Sequence, residues 1–207
     1  MSFRPQGTVY GTLMNFSGEH NALGAAMKEP PYKGAPKAPV LYVKTANTFS
    51  ADGAPIVLPA HVPEVEVGAT VGMVMGGGGE VAGYVLLNDL SIPHMSFFRP
   101  PVQYRCLDGF LGVGSRVRAR NEAGDPAIFA LRVHINGQLR QTVRFNHLVR
   151  PAERLLADVQ EFMTLAPGDV LMLGCDVDRP RARPGDLVEI SMPALGKLAN
   201  ILVAEAL

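Results

Sequence analysis

Asp89 stands at the end of an apolar run, Gly83-Tyr84-Val85-Leu86-Leu87, with Asn88 just before it. A carboxylate in that position either caps the turn that follows or points into a cleft, and Asp is a favoured turn residue. Two cations follow closely: Arg99 within Phe97-Phe98-Arg99-Pro100 and Arg105 within Arg105-Cys106-Leu107-Asp108-Gly109. A guanidinium grips a carboxylate through two parallel N–H donors, so this group suits an anionic substrate. Its alternative reading is a set of structural ion pairs at a loop-rich end of a sheet.

The rest of the composition narrows the classes. Lys+Arg and Asp+Glu both number 19, which removes the basic excess that a nucleic-acid partner demands. Arg116, Arg118 and Arg120 alternate as the wet face of a strand does. Hydrophobic residues at 47% and charged residues at 18% suit a folded chain and exclude disorder. Cys106 and Cys175 give no disulfide framework and no metal-ligand spacing, so they read as buried, reduced thiols in a reducing compartment. No apolar run follows a basic patch at the start, and Gly, Pro or charge interrupts every apolar stretch before it reaches a membrane span. The expectation is a cytoplasmic protein with neither membrane nor nucleic acid as partner.

The elements that must position Asp89 are mostly short strands between turns. Strands are expected over 8–15, 40–44, 65–75, 81–87, 127–135, 169–173 and 187–192. A helix is expected near 21–28, stopped by Pro30-Pro31. A second over 151–165 would place Leu155, Leu156, Val159, Phe162 and Met163 on one face, with Pro151 in its first turn. The glycines at 76–79 read as a hairpin tip, since glycine adopts positive φ freely. A phosphate cradle would need a helix at once, whereas Glu80 and another apolar strand follow. Pro167-Gly168-Asp169 and Pro184-Gly185-Asp186 look like turns that launch strands. The chain is expected to form one domain over 1–207, with segment 1–39 packing on it.

Ordered over nearly the whole chain, several of these runs resemble the fumarylacetoacetate hydrolase superfamily. They are Gly83-Tyr84 through Asn88-Asp89, Phe97-Phe98-Arg99-Pro100, and Arg105-Cys106-Leu107-Asp108-Gly109-Phe110. Asn136-Gly137-Gln138-Leu139-Arg140-Gln141, the stretch 161–169 and the stretch 183–190 continue the likeness. Pro31-Tyr32-Lys33 and Val43-Lys44-Thr45-Ala46-Asn47-Thr48 are similar to one branch, the isomerase/decarboxylases of 4-hydroxyphenylacetate (homoprotocatechuate) degradation. In some members of that branch one chain holds two homologous halves, and this sequence resembles the amino-terminal half as a separate subunit. The resemblance implies a mainly β fold with few helices, a mixed β-sheet roll, and dimers formed near the active site.

It also implies a divalent cation, Mg²⁺ or Mn²⁺, held by a Glu-x-Glu pair and an Asp; period two points both glutamates to one face. Bound to a 2-oxo acid, such an ion stabilises an enolate. The Asp maps onto Asp89, but the Glu-x-Glu positions fall on Gly68-Ala69-Thr70, and the family lysine falls on Arg105, a cation too basic to shuttle protons. Cys175 takes the place of a turn threonine. Glu19 and His20 only loosely echo a helical dyad and are not carried over. Glu64 and Glu66 offer another Glu-x-Glu on the same expected strand, but using them would slide that strand by roughly 13 Å. Their alternative is an exposed strand entry after Pro63.

The resemblance therefore implies a subunit without a complete metal site of its own, completed by a homologous metal-binding partner or a second copy. Its reactions would be decarboxylation of 5-oxopent-3-ene-1,2,5-tricarboxylate and isomerisation of 2-hydroxyhepta-2,4-diene-1,7-dioate. Asp89 and Arg105 are the candidate catalytic residues; Lys44, Asn47, Arg99 and Cys175 are the candidate substrate-binding ones. The alternatives are a self-sufficient family hydrolase or decarboxylase acting on a 2-oxo diacid, and a catalytically inactive structural subunit.

Overall fold

The computed structural model describes residues 2–94 and 102–206. Among them, the β-branched and aromatic runs pair into one eight-stranded sheet. Along it lie Val40–Lys44, Val9–Leu13, Val170–Met172, Ala69–Met75, Val81–Asp89, Leu111–Val113 and Phe49–Ala51, with Arg118–Ala119 added beside Val81–Asp89. The pairings Val9–Leu13 with Val170–Met172 and Phe49–Ala51 with Leu111–Val113 are parallel, and the others antiparallel, so the sheet is mixed. Its two edges are joined by residues 45–48 alone, a single short turn from Val40–Lys44 to Phe49–Ala51. Strands lie about 4.8 Å apart in a sheet, so the first and last of seven strands can be joined so briefly only if the sheet curls upon itself. That curl makes the site.

A second, five-stranded sheet runs Gln138–Arg144, Ala130–Ile135, Leu187–Met192, Gly196–Ala204 and Ile56–Leu58. The main apolar cluster includes Val71, Met73 and Leu86 of the first sheet and Leu131, Ile190 and Leu198 of the second. A smaller cluster, on the other face of the first sheet, gathers Val9, Leu13, Tyr42, Val85, Leu87 and Val170. Strands Ala69–Met75 and Val81–Asp89 are thus buried on both faces, which is why they read as continuous apolar runs rather than alternating ones.

Several expected elements differ in detail. The strand over 65–75 is two: Val65–Glu66 pairs with Arg181–Ala182 in a separate small ribbon, and Ala69–Met75 belongs to the large sheet. The early helix begins sooner than expected, as Ser17–Leu23, and tightens into a 3₁₀ turn over Gly24–Lys28. The later helix is confined to Ala152–Gln160, so Leu155 and Val159 are buried while Phe162, past its end, is 61% exposed and off the packed stripe. The strand at 127–135 starts at Ala130, because Pro126–Ile128 forms a 3₁₀ turn that Asp125 caps. Of the alternating arginines only Arg118 lies in a strand, and Arg120 opens a short helix. Cys106 is only partly buried, unlike Cys175. The 76–79 turn does join paired strands as a hairpin, and Asp169 and Asp186 accept backbone N–H groups in the turns before theirs.

Candidate anion-binding site

Asp89, Leu87 and Val85 share one face of their strand by period two, and that face looks into the smaller apolar cluster. Tyr42 and Lys44 share a face of the edge strand by the same rule, and the curl brings them over Asp89. Gly11, paired opposite Tyr42, makes room: a Cβ there would lie 2.0 Å from the phenol ring. Arg105 ends the short helix Val102–Arg105 and turns its side chain inward. The expectation that Asp89 caps a turn gives way here, since its carboxylate is wholly buried and accepts from side chains.

Asp89 meets three polar side chains. The Tyr42 hydroxyl donates to Oδ2. Arg105 Nη1 lies 2.5 Å from the same oxygen, and Lys44 Nζ lies 3.0 Å from Oδ1. Lys44 also donates to the carbonyls of Arg105 and, at 2.9 Å, of Phe110. The Arg105 guanidinium stands over the Tyr42 ring, 5.0 Å from its centroid. All four side chains are buried, so their charges act at low dielectric.

The electrostatics follow from that burial. Burial works to raise the Asp89 carboxyl, but Lys44 and Arg105, with the Tyr42 bond, outweigh it and hold it below its ordinary value. Burial, and then Asp89, push the Tyr42 phenol well up, so it stays protonated and donates. Burial lowers Lys44, against the pull of Asp89. For Arg105, burial opposes the charge, and Tyr42 and Asp89 more than restore it. Its fork is only half used: Nε and Nη2 are buried and have no hydrogen-bond partner among the described residues.

A second ionic group adjoins the first. Arg179 binds Glu19 of the early helix, lies 3.6 Å from Glu66, and donates through Nε to the Asp176 carbonyl at 3.1 Å. Glu19 also accepts the Met14 N–H at 2.8 Å, and burial, ahead of the opposing Arg179, raises its pKa. Cys175 lies between the groups; burial, then Asp89, push its thiol up to about 12.

The candidates read from sequence therefore separate. Lys44, Asp89 and Arg105 come together, with Cys175 nearby. Asn47 is elsewhere, tethering the segment after Arg105 through Cys106 O at 3.1 Å and Asp108 Oδ1 at 2.6 Å. Arg99 lies outside the described residues. Glu64 sits between Arg181 and Arg183 at the surface. Tyr42 and Arg179 were not singled out from sequence. The alternation Arg179, Arg181, Arg183 against Glu64 and Glu66 was a legible signal for the latter; nothing local marks Tyr42, whose role depends on the curl.

These residues do not fit a divalent metal. A hard cation takes about six oxygen ligands, and Asp89 is already engaged by two cations and a phenol. A Cβ at Gly68 would lie 2.3 Å from the Asp89 carbonyl and 3.0 Å from Cys175 Sγ, so that position is closed to a carboxylate. Thr70 Oγ1 donates to the Gly174 carbonyl at 2.5 Å. Glu66 is held by Arg179, in a ribbon separate from Ala69–Met75, so the two candidate glutamate pairs do not share a strand. Among the described residues no His, Cys, Asp and Glu side chains cluster in threes around a common point.

A family model described as fumarylacetoacetate (FAA) hydrolase C-terminal matches residues 8–203. The 4-hydroxyphenylacetate degradation bifunctional isomerase/decarboxylase of Salmonella dublin is 34% identical over 97% of this chain, which spans 48% of that relative's length. The solved 5-carboxymethyl-2-hydroxymuconate delta-isomerase of Mycobacterium smegmatis aligns with TM-score 0.77 at 25% identity, over 97% of this chain and 80% of its own. The fumarylpyruvate hydrolase of Pseudomonas aeruginosa, solved with Mn²⁺ and pyruvate, shares the fold at TM-score 0.81 and 18% identity, over 96% and 90%.

Proposed function

The chain belongs to the fumarylacetoacetate hydrolase family, and from that premise we propose that it is one homologous half of an isomerase/decarboxylase of homoprotocatechuate degradation. The curated relatives that suggest this are about twice its length, the chain spanning 48% of them. The activity of the whole is therefore assigned to an assembly: this chain with a homologous metal-binding subunit, as a heteromer built on family-type dimers. The substrates are 5-oxopent-3-ene-1,2,5-tricarboxylate for decarboxylation and 2-hydroxyhepta-2,4-diene-1,7-dioate for isomerisation.

One observation carries the reading at the site. Two buried cations, Lys44 and Arg105, meet a single carboxylate, Asp89, at bonding distance, and Arg105 keeps a buried donor edge without a hydrogen-bond partner among the described residues. Such a group is built to receive an anion. The substrates carry carboxylates at both ends, and the electrons released by decarboxylation collect on an enolate oxygen, which a fixed cation in a dry site stabilises strongly. Asp89 holds the two cations in place; Tyr42, kept protonated, holds Asp89. No step here needs a metal bound by this chain.

The test is an assay of the purified chain for decarboxylase and isomerase turnover, alone and mixed with a homologous metal-binding subunit and Mg²⁺. Activity in the mixture that neither component shows alone supports the proposal. Full activity of this chain alone replaces it with a self-sufficient enzyme. A partner equally active without this chain leaves only a structural role.

A further inference from the structure

Arg105 presents two edges. Through Nη1 it binds Asp89. The other edge, formed by Nε–H and Nη2–H, is the flat pair of parallel donors that matches the two oxygens of a carboxylate. In this protein that edge is buried and has no hydrogen-bond partner among the described residues. A charged donor left unmade in the interior carries its desolvation penalty in full, so an acceptor brought to this edge forms a strong bond. Arg105 is not free to swing away and satisfy itself elsewhere. Nη1 is fixed on Asp89, its own carbonyl accepts from Lys44, and its plane lies over Tyr42.

We infer that this chain binds the carboxylate of a 2-oxo or 2-hydroxy acid directly on the Nε/Nη2 edge of Arg105, without a divalent metal, the guanidinium standing as the fixed cation of the site. The inference rests on the anion-binding reading above and deepens it by naming the donor pair and the chemistry it takes. Three observations support it independently of any relative. Asp89 is engaged by the Tyr42 hydroxyl, by Arg105 and by the Lys44 ion pair, position 68 is closed by main chain, and Thr70 is engaged with Gly174. Lys44 donates to two main-chain carbonyls and is ion-paired with Asp89, so its ammonium is held inward by the protein itself. The receiving edge is therefore that of Arg105 and not of Lys44. Planar geometry selects the ligand class: a carboxylate fits two parallel donors, whereas a halide takes only one point of charge.

Calorimetric titration of the whole chain with oxalate, once in EDTA and once with Mn²⁺, tests this. Binding in EDTA, unchanged by Mn²⁺ once the oxalate taken up by free Mn²⁺ is subtracted, is expected; binding that appears only with Mn²⁺, or none in either buffer, overturns it. Arg105→Lys keeps the charge but loses the fork, and is expected to weaken oxalate at least tenfold; unchanged affinity in a folded R105K also overturns the inference. Should R105K lose the near-UV circular dichroism of the parent, the parent decides alone. In arginine labelled with ¹⁵N at Nε, a slowly exchanging buried Nε–H signal must shift as oxalate saturates, and no shift rejects the assignment. These readings are separate from turnover. An active mixture with no oxalate binding sinks the receptor and spares the proposed function, and binding without turnover does the reverse.

Discussion

Lys44 Nζ lies 3.0 Å from Asp89 Oδ1 and at the same time donates to the main-chain carbonyl of Arg105. One ammonium thus ties the carboxylate to the backbone of the residue that supplies the second cation. The group is a closed set of contacts among two strands and one short helix, and removing a charged member leaves the others charged and buried. Breaking a buried pair by deleting one partner costs much more than the pair contributes as a whole.

Asp89→Asn is expected to destabilise the folded state by about 3–5 kcal/mol at neutral pH, because two buried cations lose their counter-charge. The folded carboxyl sits below its ordinary value of 3.8. Its contribution is therefore present above that value and lost as pH falls through the lower folded one. Urea unfolding at pH 7, 5 and 3 should show a wide gap between parent and variant at the first two, narrowing only at the last. A gap that closes already at pH 5 would contradict a depressed Asp89.

Arg179 joins the early helix to the ribbon through Glu19 and Glu66. Arg179→Met leaves the buried Glu19 facing no cation at bonding distance, and a loss of about 3 kcal/mol is expected. Because burial raises Glu19, its proton returns readily, so the loss should shrink as pH is lowered into the range where a raised carboxyl titrates. Chemical denaturation across pH 4 to 7 reads both effects. A constant loss at every pH would mean that packing, not charge, is what Arg179 provides.

Tyr42→Phe and Gly11→Ala address one contact from two sides. The first removes a hydroxyl bonded to a carboxylate, a loss of about 1.5–3 kcal/mol. The second puts a Cβ 2.0 Å from the ring and must displace it bodily, so Gly11→Ala should lower the melting temperature further than Tyr42→Phe. Equal shifts would mean that the ring lies elsewhere in solution.

The two thiols should separate cleanly. Cys175 is buried and its thiol is pushed up to about 12, chiefly by burial, whereas Cys106 is partly exposed. At pH 8 a disulfide reagent is expected to titrate one thiol in the native protein and the second only in denaturant, with mass spectrometry placing the fast label on Cys106. Rapid labelling of Cys175 would show that the interior around it opens far more readily than its packing implies.

Much of this was legible in the chain. Runs of β-branched residues announce the strands, and the Asp89–Arg105 pairing was suggested by a carboxylate and two arginines a short distance apart. What escaped has particular causes. Residues 65–75 are β-branched and apolar at most positions and hold no proline, so nothing local shows that Val67 and Gly68 leave one sheet to enter another; that depends on Arg181–Ala182 far along the chain. Phe162 falls on the right helical face by period, but the helix ends at Gln160 before reaching it. Tyr42 reaches Asp89 only because residues 45–48 bring two sheet edges together, a long-range closure that no window of sequence displays.

Gly68 and Asp89 stand close enough for the Asp89 N–H to bond the Gly68 carbonyl at 2.8 Å, and for any Cβ at 68 to strike the Asp89 carbonyl. Side chains can be exchanged one codon at a time, but main-chain spacing cannot. A glutamate placed at 68 would have to part these two backbones before its carboxylate could reach any ligand. The narrow gap between two backbones thus decides what position 68 can carry, whatever the neighbouring side chains become.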